Sequence, residues 1–197
     1  IDVINPTPED VSTITEEYNI SKTIAHELIS PSFKSRVDIQ KDHLYMILHF
    51  PAFKHMGSFN VRQEVDFIIG KHFLITARYE TIDAMERFAK IIEVNSILEK
   101  EDDGDCTGVI FFGIVKEIYD SLLYELEHIE NWLMKIEQGI FSGKEKEMVV
   151  SLSEVSRNLI NFKKATDFHE EVLTSLNILG GKLFGEHFGH HSGKLLD

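Results

Sequence analysis

The sequence predicts an α+β fold in which a compact α/β unit comes first and a long antiparallel helical hairpin follows. Three observations support this prediction. Up to about position 100, the apolar residues occur in short strand-like runs and in helical stripes. From Gly108 onward they recur at alternating steps of three and four, which is the spacing of one narrow apolar seam along a helix. The Ser142-Gly143 pair then divides this second region into two helices.

Two short helices are predicted near the start of the chain. Thr7 can cap the first helix and Pro8 suits its first position. The apolar stripe of Val11, Ile14 and Tyr18 indicates that this helix extends to about Asn19. Ser21 can cap a second helix, which should end near Pro31 because the residue before a proline disfavours the helical region. We expect their apolar stripes to face a sheet.

The sheet and a third helix follow. Runs of β-branched and aromatic residues between turn signals predict strands at 36–40, 44–50, 61–69 and 73–78. The last two runs flank a turn that contains Gly70, which is typical of a β-hairpin. A helical stripe then extends from Ile82 to Ile92.

The two long helices are predicted at Gly108 to Phe141 and at Lys144 to about Leu179. The seam of the first helix comprises Val115, Ile118, Leu122, Leu126, Ile129, Leu133, Ile136 and Ile140. The seam of the second comprises Met148, Leu152, Val155, Leu159, Phe162, Thr166, His169, Leu173 and Leu176. One small core rarely covers helices of this length, so we expect them to reach towards another subunit, a partner or a membrane.

Three segments are therefore expected: an α/β unit at 1–105, a helical hairpin packed with it at 106–180, and a Gly/His-rich loop at 181–197. The acidic loop at 101–105 lacks the ligand spacing of a calcium loop, which favours a solvated linker. No run approaches the roughly 20 apolar residues that a membrane span requires. Because the chain starts at Ile1 and stops where another helix could begin, we expect it to be one domain of a larger protein.

Composition excludes some functions. The net charge is −13, with 33 acidic residues against 20 Lys and Arg. Because nucleic-acid binding needs clustered basic residues, this charge balance argues against a nucleic-acid-binding protein. The one cysteine, Cys106, excludes an intramolecular disulfide and favours a reducing compartment. Its acidic surroundings should blunt it as a nucleophile. Nucleotide-binding, hydrolase and zinc-protease motifs are absent from the sequence, so we expect no enzyme.

The histidines offer a second candidate chemistry. His187, His190 and His191 form a cluster that could bind a soft transition metal, because imidazole suits zinc, nickel and copper. The surrounding glycines favour a mobile connecting loop over a preformed site. His169 lies on an apolar seam and is expected to be a hydrogen-bonded core residue.

Several short segments occur in an informative order and spacing. They are Asn5-Pro6-Thr7-Pro8-Glu9-Asp10, Ile24-Ala25-His26-Glu27-Leu28-Ile29, Arg36-Val37-Asp38, His43-Leu44-Tyr45-Met46-Ile47-Leu48-His49-Phe50-Pro51, Glu64-Val65-Asp66-Phe67-Ile68-Ile69-Gly70, Phe73-Leu74-Ile75-Thr76, Ile136-Glu137-Gln138-Gly139-Ile140-Phe141 and Arg157-Asn158-Leu159-Ile160. Together they resemble the cytoplasmic domain of the CorA-type magnesium transporter family over nearly the whole chain.

This resemblance implies an α/β/α sandwich around a mixed β-sheet, with the helical hairpin beside a long stalk helix. Family members are pentamers, and the stalk leads to two membrane spans with a Gly-Met-Asn signature that selects hydrated magnesium. This chain has neither signature nor spans and would end near the start of the stalk. The resemblance therefore implies a regulatory domain on the cytoplasmic side of the cell membrane, which senses magnesium and gates the pore.

The resemblance also implies a metal site. In the family, an acidic residue after the second short helix and an acid on the neighbouring stalk hold a regulatory magnesium between subunits. The matching position is Glu27, and the neighbouring His26 is a second candidate metal residue. The stalk partner would lie near Asp197, the third candidate, or beyond. The ion would be Mg²⁺, bound weakly, with Co²⁺ or Zn²⁺ as alternatives. Glu27 could instead be an exposed acid at a helix end.

Other functions remain open at this point. A ZntB-like zinc transporter is the nearest competitor, and the histidine cluster favours it slightly. A standalone cytosolic module whose hairpin binds a partner helix is a competitor from another class. We expect the isolated fragment to be monomeric or weakly associated, because its seams suggest apolar surface that the stalk would cover.

Overall fold

The computed structural model describes residues 1–51, 62–98 and 106–196 of the 197-residue chain. The predicted acidic loop at 101–105 and Asp197 lie outside the described residues. In chain order the strands and helices are β1 (Asp2–Ile4), α1 (Pro8–Glu17), α2 (Lys22–Glu27), β2 (Arg36–Ile39), β3 (His43–Phe50), β4 (Gln63–Gly70), β5 (Leu74–Arg78), α3 (Asp83–Leu98), α4 (Cys106–Phe141), α5 (Glu145–Thr166), α6 (His169–Phe184) and α7 (Glu186–Gly193).

The five strands form one mixed sheet in the order β1-β5-β4-β3-β2. Strand β1 runs parallel to β5, and every other neighbouring pair is antiparallel. The pairing of β3 with β4 is the longest, from His43 opposite Gly70 to Phe50 opposite Gln63. The predicted strands and the β4–β5 hairpin are confirmed over the described residues, and Val61, where the third predicted strand begins, lies outside them.

Both faces of the sheet are covered by helices, so the fold is an α/β/α sandwich. One face packs against α1 and α2 through Val11, Ile14, Ile24, Leu28, Tyr45, Ile47, Ile68 and Ile75. The other packs against α4 and α6, and α3 and α7 join the same larger cluster, which includes Leu44, Met46, Leu48, Val65, Phe67, Ile69, Met85, Phe111, Val115, Leu173, Leu176 and Phe188. Successive strand residues point to opposite faces, which is why the central strands are apolar almost throughout.

Helix α4 is 36 residues long and belongs to two clusters. Its first half lies on the sheet. Its second half forms a separate small cluster with α5, in which Ile129, Ile136 and Val155 are buried. The turn between the two helices contains Gly143, whose φ of 81° lies in the left-handed region that favours glycine. The predicted helical hairpin is confirmed, although Ile140 of the first seam and Leu152 and Leu159 of the second are 40%, 43% and 38% exposed.

The second long helix differs from the prediction, because it is broken between Thr166 and His169 into α5 and α6. Helix α5 packs mainly on α4, whereas α6 joins the core on the sheet through Val172, Leu173 and Leu176. One straight helix could not follow both surfaces. The apolar seam continues across the break, and the sequence therefore carries no sign of it.

The predicted loop at 181–197 is wrong, because α6 extends to Phe184 and most of the remainder forms α7. Gly185, with φ of 97°, provides the turn between the two helices. Phe188 is 1% exposed and holds α7 against α6 at Gly180. The close approach of the two helices depends on Gly180, where a Cβ would overlap the Phe188 ring, and the glycines at 181–193 do not prevent the segment from being helical.

Gly180→Ala should destabilise the protein. A Cβ at this position would overlap the buried ring of Phe188, and overpacking of this kind costs about 1–3 kcal/mol. Gly181→Ala is the matched control, because a Cβ there has no neighbour within 4 Å and alanine favours the helix by up to about 1 kcal/mol. Urea unfolding of both variants checks the prediction. Equal effects of the two substitutions would show that contact with Phe188 does not constrain this position.

Strand β1 was not predicted. It has only three residues, and its partner is β5, more than 70 positions later in the chain. Arg78 holds it in place: its side chain is 1% exposed, and Nη2 lies 2.6 Å from both Asp2 Oδ2 and Glu86 Oε1.

Within the described residues, none of the helices combines the length and apolar character that crossing a bilayer requires.

Candidate metal site at the end of helix α2

Helix α2 is fixed on the sheet by its cap and its apolar face. Ser21 Oγ accepts a hydrogen bond from the backbone N–H of Ile24 at 3.4 Å, which satisfies one of the first amides of the helix. Ile24 and Leu28 are 2% and 1% exposed in the core beneath the helix. Glu27 is the last residue of α2 and lies above the start of β2.

Glu27 forms an ion pair with Arg36. The distance between Arg36 Nη2 and Glu27 Oε2 is 2.6 Å, and the two side chains are 31% and 36% exposed. The same guanidinium donates from Nε to Asp38 Oδ2 at 2.8 Å. One arginine therefore serves two carboxylates, so these three side chains together carry one negative charge. Glu27 is not simply an exposed acid at a helix end.

The other two predicted metal ligands are not brought to Glu27 within the described residues. His26 is exposed and, one residue earlier on the helix, points about 100° away. Asp197 lies outside the described residues. Among residues 1–51, 62–98 and 106–196, no group of three or more His, Cys, Asp or Glu is arranged to hold a metal ion. Binding of magnesium by Glu27 together with a neighbouring subunit stays a prediction.

A buried polar cluster lies directly beneath this ion pair. The Arg36 guanidinium lies over the Tyr45 ring at 5.7 Å from its centroid, a favourable cation–π arrangement. The Tyr45 hydroxyl donates to Asp66 Oδ2 at 3.1 Å. Glu27 is thereby connected through two side chains to an acid in the middle of the sheet.

Glu64 and His49 form the second half of the cluster and are cross-strand partners. Glu64 Oε2 accepts a hydrogen bond from the Ser32 amide at 2.7 Å and lies 3.0 Å from His49 Nε2. His49 Nε2 is also 2.9 Å from the Ser32 carbonyl oxygen. Because both neighbours are acceptors, Nε2 must carry a proton. His49 Nδ1 lies 3.0 Å from Ser35 Oγ.

Two carboxylate oxygens in the cluster are buried without a hydrogen-bond partner in the described structure, Glu64 Oε1 and Asp66 Oδ1. The two residues are 6% and 1% exposed and lie two positions apart on the same face of β4. Burial, and secondly the charge of Glu64, raise the pKa of the Asp66 carboxyl well above its usual range. Asp66 is therefore much easier to protonate than an exposed aspartate.

The sequence pattern does not predict this cluster. It indicates only that Glu64, Asp66, Tyr45 and His49 belong to strand segments. The available signal is the pair of acidic residues, Glu64 and Asp66, at alternate positions of a strand that is otherwise mostly apolar. Without the register of β3 against β4, that signal could not be assigned to a shared site.

His169, by contrast, is the hydrogen-bonded core residue that the sequence predicts. It is 5% exposed. Its Nε2 lies 2.8 Å from the His49 carbonyl oxygen, and its Nδ1 lies 2.7 Å from the Tyr119 hydroxyl. It therefore joins α4, α6 and the end of β3 on the face of the sheet opposite α2.

The fold is shared with solved structures. The soluble domain of CorA from Methanocaldococcus jannaschii matches with a TM-score of 0.76 and 20% identity, covering 100% of this chain and 79% of that one. The complete CorA magnesium transporter from the same organism matches with a TM-score of 0.73 and 19% identity over 99% of this chain. The chain covers 64% of that transporter.

A third solved structure has the same fold. The ZntB cytoplasmic domain from Vibrio parahaemolyticus matches with a TM-score of 0.73 and 12% identity, covering 99% of this chain and 78% of that one. A comparison with curated protein sequences found no significant match. At such low identities, the solved structures support the fold alone.

A comparison of the sequence with models of protein families identifies the family of this chain. The family model described as CorA-like Mg2+ transporter protein matches residues 1–187, which is nearly the whole chain. The match begins at β1 and includes the sheet, the hairpin and α6. This chain therefore belongs to the CorA-like Mg2+ transporter family.

Proposed function

We propose that this chain is the regulatory domain of a divalent-cation channel or transporter, with magnesium or cobalt as the leading ions. The observation that carries the proposal is the family match over residues 1–187. In this proposal the domain lies on the cytoplasmic side of the cell membrane, senses intracellular magnesium and gates a pore formed elsewhere in a homopentamer. The likeness to the complete CorA transporter supports attachment to membrane spans.

Within this proposal, Glu27 is the regulatory ligand. Its carboxylate is 36% exposed at the edge of the domain, and its immediate surroundings carry one net negative charge. Carboxylates from two subunits would repel each other until a cation neutralises them, so ion binding would favour the closed assembly.

Arg36 should tune this site. A cation that approaches Glu27 must share the carboxylate with the guanidinium 2.6 Å away. Magnesium also keeps several of its waters and uses only one or two protein carboxylates. Both effects weaken binding, and we expect an affinity on the order of millimolar.

The full-length protein tests this arrangement through protease protection measured against magnesium concentration. Glu27→Ala should flatten the curve, because both the ion ligand and the repulsion that makes closure ion-dependent are lost. Arg36→Gln should move the curve to lower magnesium concentration, because the competing cation is removed. His26→Ala is the control and should follow the wild type. Superimposable curves for the wild type and Glu27→Ala would remove Glu27 from the mechanism.

A zinc transporter is the second candidate. The shared fold with the ZntB cytoplasmic domain supports it. The full-length reading frame and a transport assay separate the candidates. Two apolar spans with Gly-Met-Asn between them, together with magnesium uptake, would favour the first proposal. Zinc uptake without magnesium uptake would favour the second. A reading frame without spans would favour the standalone interaction module.

A further inference from the structure

Helix α7 presents three histidines on one side of a firmly anchored helix. Phe188 and Ser192, one turn apart, are 1% and 2% exposed and define its buried face. Phe188 packs on Phe111 and Phe184, with ring centroids 6.2 and 5.0 Å apart. Ser192 Oγ donates to Asn177 Oδ1 at 2.9 Å. These contacts fix the rotation of α7 and therefore the direction of its other side chains.

That rotation places the three histidines of α7 on one flank of the helix. At about 100° per residue, His191, His187 and His190 all fall within an arc of about 100° on one flank of the helix. His187 and His190 are exposed, and His191 is half-buried. The rings of His190 and His191 lie 5.8 Å apart, and the His191 ring lies 6.1 Å from that of Phe112.

His187 and His191 have the spacing of a chelating pair. Residues four apart on a helix have Cβ atoms about 5–6 Å apart, so two imidazoles can reach one ion. The same i, i+4 pair of histidines on one helical face binds zinc in metalloproteases. Zinc–imidazole bonds are about 2.0–2.1 Å long, and nickel and copper also favour imidazole. Magnesium prefers oxygen ligands and keeps its waters, so it should not compete.

We propose that His187 and His191 form a two-histidine site for a borderline transition-metal ion, Zn²⁺ first, with water completing the coordination. No ready-made group of three or more ligands exists within the described part of the chain. The site is accordingly a chelate that forms by side-chain rotation on a preformed helix. It is independent of Glu27 and of the proposed regulation by magnesium.

Metal binding at this pair would stabilise α7 itself. The helix contains Gly189 and Gly193, and each glycine in a helix costs up to about 1 kcal/mol relative to alanine. An ion that binds only when the two histidines are one helical turn apart favours the helical state by mass action. The segment that the sequence predicts to be a loop would then be a helix that its packing anchors and that a bound metal ion stabilises further.

The test is a calorimetric titration of the whole 197-residue chain with Zn²⁺ at pH 7.5, in the presence of millimolar Mg²⁺. We expect one saturable site that excess magnesium does not remove. His187→Ala and His191→Ala should each weaken binding at least tenfold. His72→Ala is the matched control, because this histidine is exposed in the β4–β5 turn, and it should leave the affinity unchanged. Since metals bind neutral imidazole, affinity should fall on acidification.

Two further measurements keep the outcome clear. Thermal melts without metal must show that each variant is folded, and His191→Gln replaces His191→Ala if the alanine variant is not. His190→Ala should lower the affinity less than either member of the pair. Absence of saturable Zn²⁺ binding, or unchanged binding in His187→Ala, would overturn the proposal. Loss of binding with His190→Ala but not with His191→Ala would also overturn it.

Discussion

Asp66→Asn should raise the free energy of unfolding at neutral pH. Asp66 is 1% exposed, its Oδ1 has no hydrogen-bond partner in the described structure, and Glu64 adds a repulsive charge. Burying a carboxylate in this way is costly. Asparagine removes the charge, and its amide oxygen can still accept the Tyr45 hydrogen bond that Oδ2 now accepts.

The pH dependence gives the sign of the effect. Folding raises the pKa of Asp66, so the native state holds this proton more tightly than the unfolded chain does. The stabilisation from that proton is complete below the unfolded pKa of about 3.9 and is lost as pH rises towards the folded value. The advantage of asparagine should therefore be largest at neutral pH, roughly 1–3 kcal/mol, and should shrink on acidification.

Glu64→Gln is the matched control on the same strand. Glu64 Oε2 accepts the Ser32 amide and pairs with His49, so removing its charge should destabilise the protein at neutral pH. Urea unfolding at pH 7 and pH 4 would compare both variants with the wild type. If Asp66→Asn destabilises at pH 7 as much as Glu64→Gln does, the Asp66 carboxylate is ionised and compensated, and its burial carries no net cost.

Local signals explain which parts of the fold could be predicted. Helix α1 begins at Pro8 after the Thr7 cap, which forms a reciprocal capping box with Asp10. The turn between β4 and β5 follows Gly70, whose missing side chain leaves room for the Phe73 ring. In each case a few adjacent residues determine the structure, so the sequence is enough.

The missed elements depend on distant contacts. Strand β1 needs β5, and α7 needs a surface built from α4 and α6, where Phe188 meets Phe111. The break between α5 and α6 interrupts no apolar pattern. The glycines of the last segment favour a loop when they are considered alone, because the anchor of α7, Phe188, is buried only when the partner helices are present.

The candidate site also depends on contacts between distant parts of the chain. The resemblance indicates Glu27, but its pairing with Arg36 depends on α2 lying over the first residue of β2. The burial of Glu64 and Asp66 was harder to predict, because acidic residues are rarely fully buried without a partner. The side chain of His49 faces these acids, while its carbonyl oxygen accepts from His169 on the other face of the sheet.

The hydrogen bond from His169 to the His49 carbonyl oxygen underlies the second large effect on stability that we expect. Acidification from pH 6.5 to pH 4 should cost about 3 kcal/mol of stability through His169 alone. Its Nε2 faces the His49 carbonyl, which can only accept, so Nε2 carries the proton and Nδ1 accepts from the Tyr119 hydroxyl. Burial lowers the pKa of His169 to about 4, against about 6.5 in the unfolded chain.

The pH dependence of stability that His169 causes is opposite in sign to the one that Asp66 causes. Between pH 6.5 and pH 4 the unfolded chain binds a proton that native His169 refuses, so its contribution is complete above pH 6.5 and is lost as pH falls. A shift of about 2.5 pKa units corresponds to about 3 kcal/mol. Other groups also titrate in this range, and a variant that lacks only this titration is needed to isolate the effect.

His169→Gln is that variant, because glutamine keeps a neutral donor and acceptor but cannot titrate. Free energies of unfolding from urea titrations at pH 7, 6, 5 and 4 should show the wild type well above the variant at pH 7, with the gap closing towards pH 4. Tyr119→Phe should cost about 1–3 kcal/mol at pH 7, because it leaves Nδ1 buried without a donor. Parallel curves for the wild type and His169→Gln would show that His169 takes up its proton equally in both states, and that the hydrogen bonds across the end of β3 do not hold it neutral.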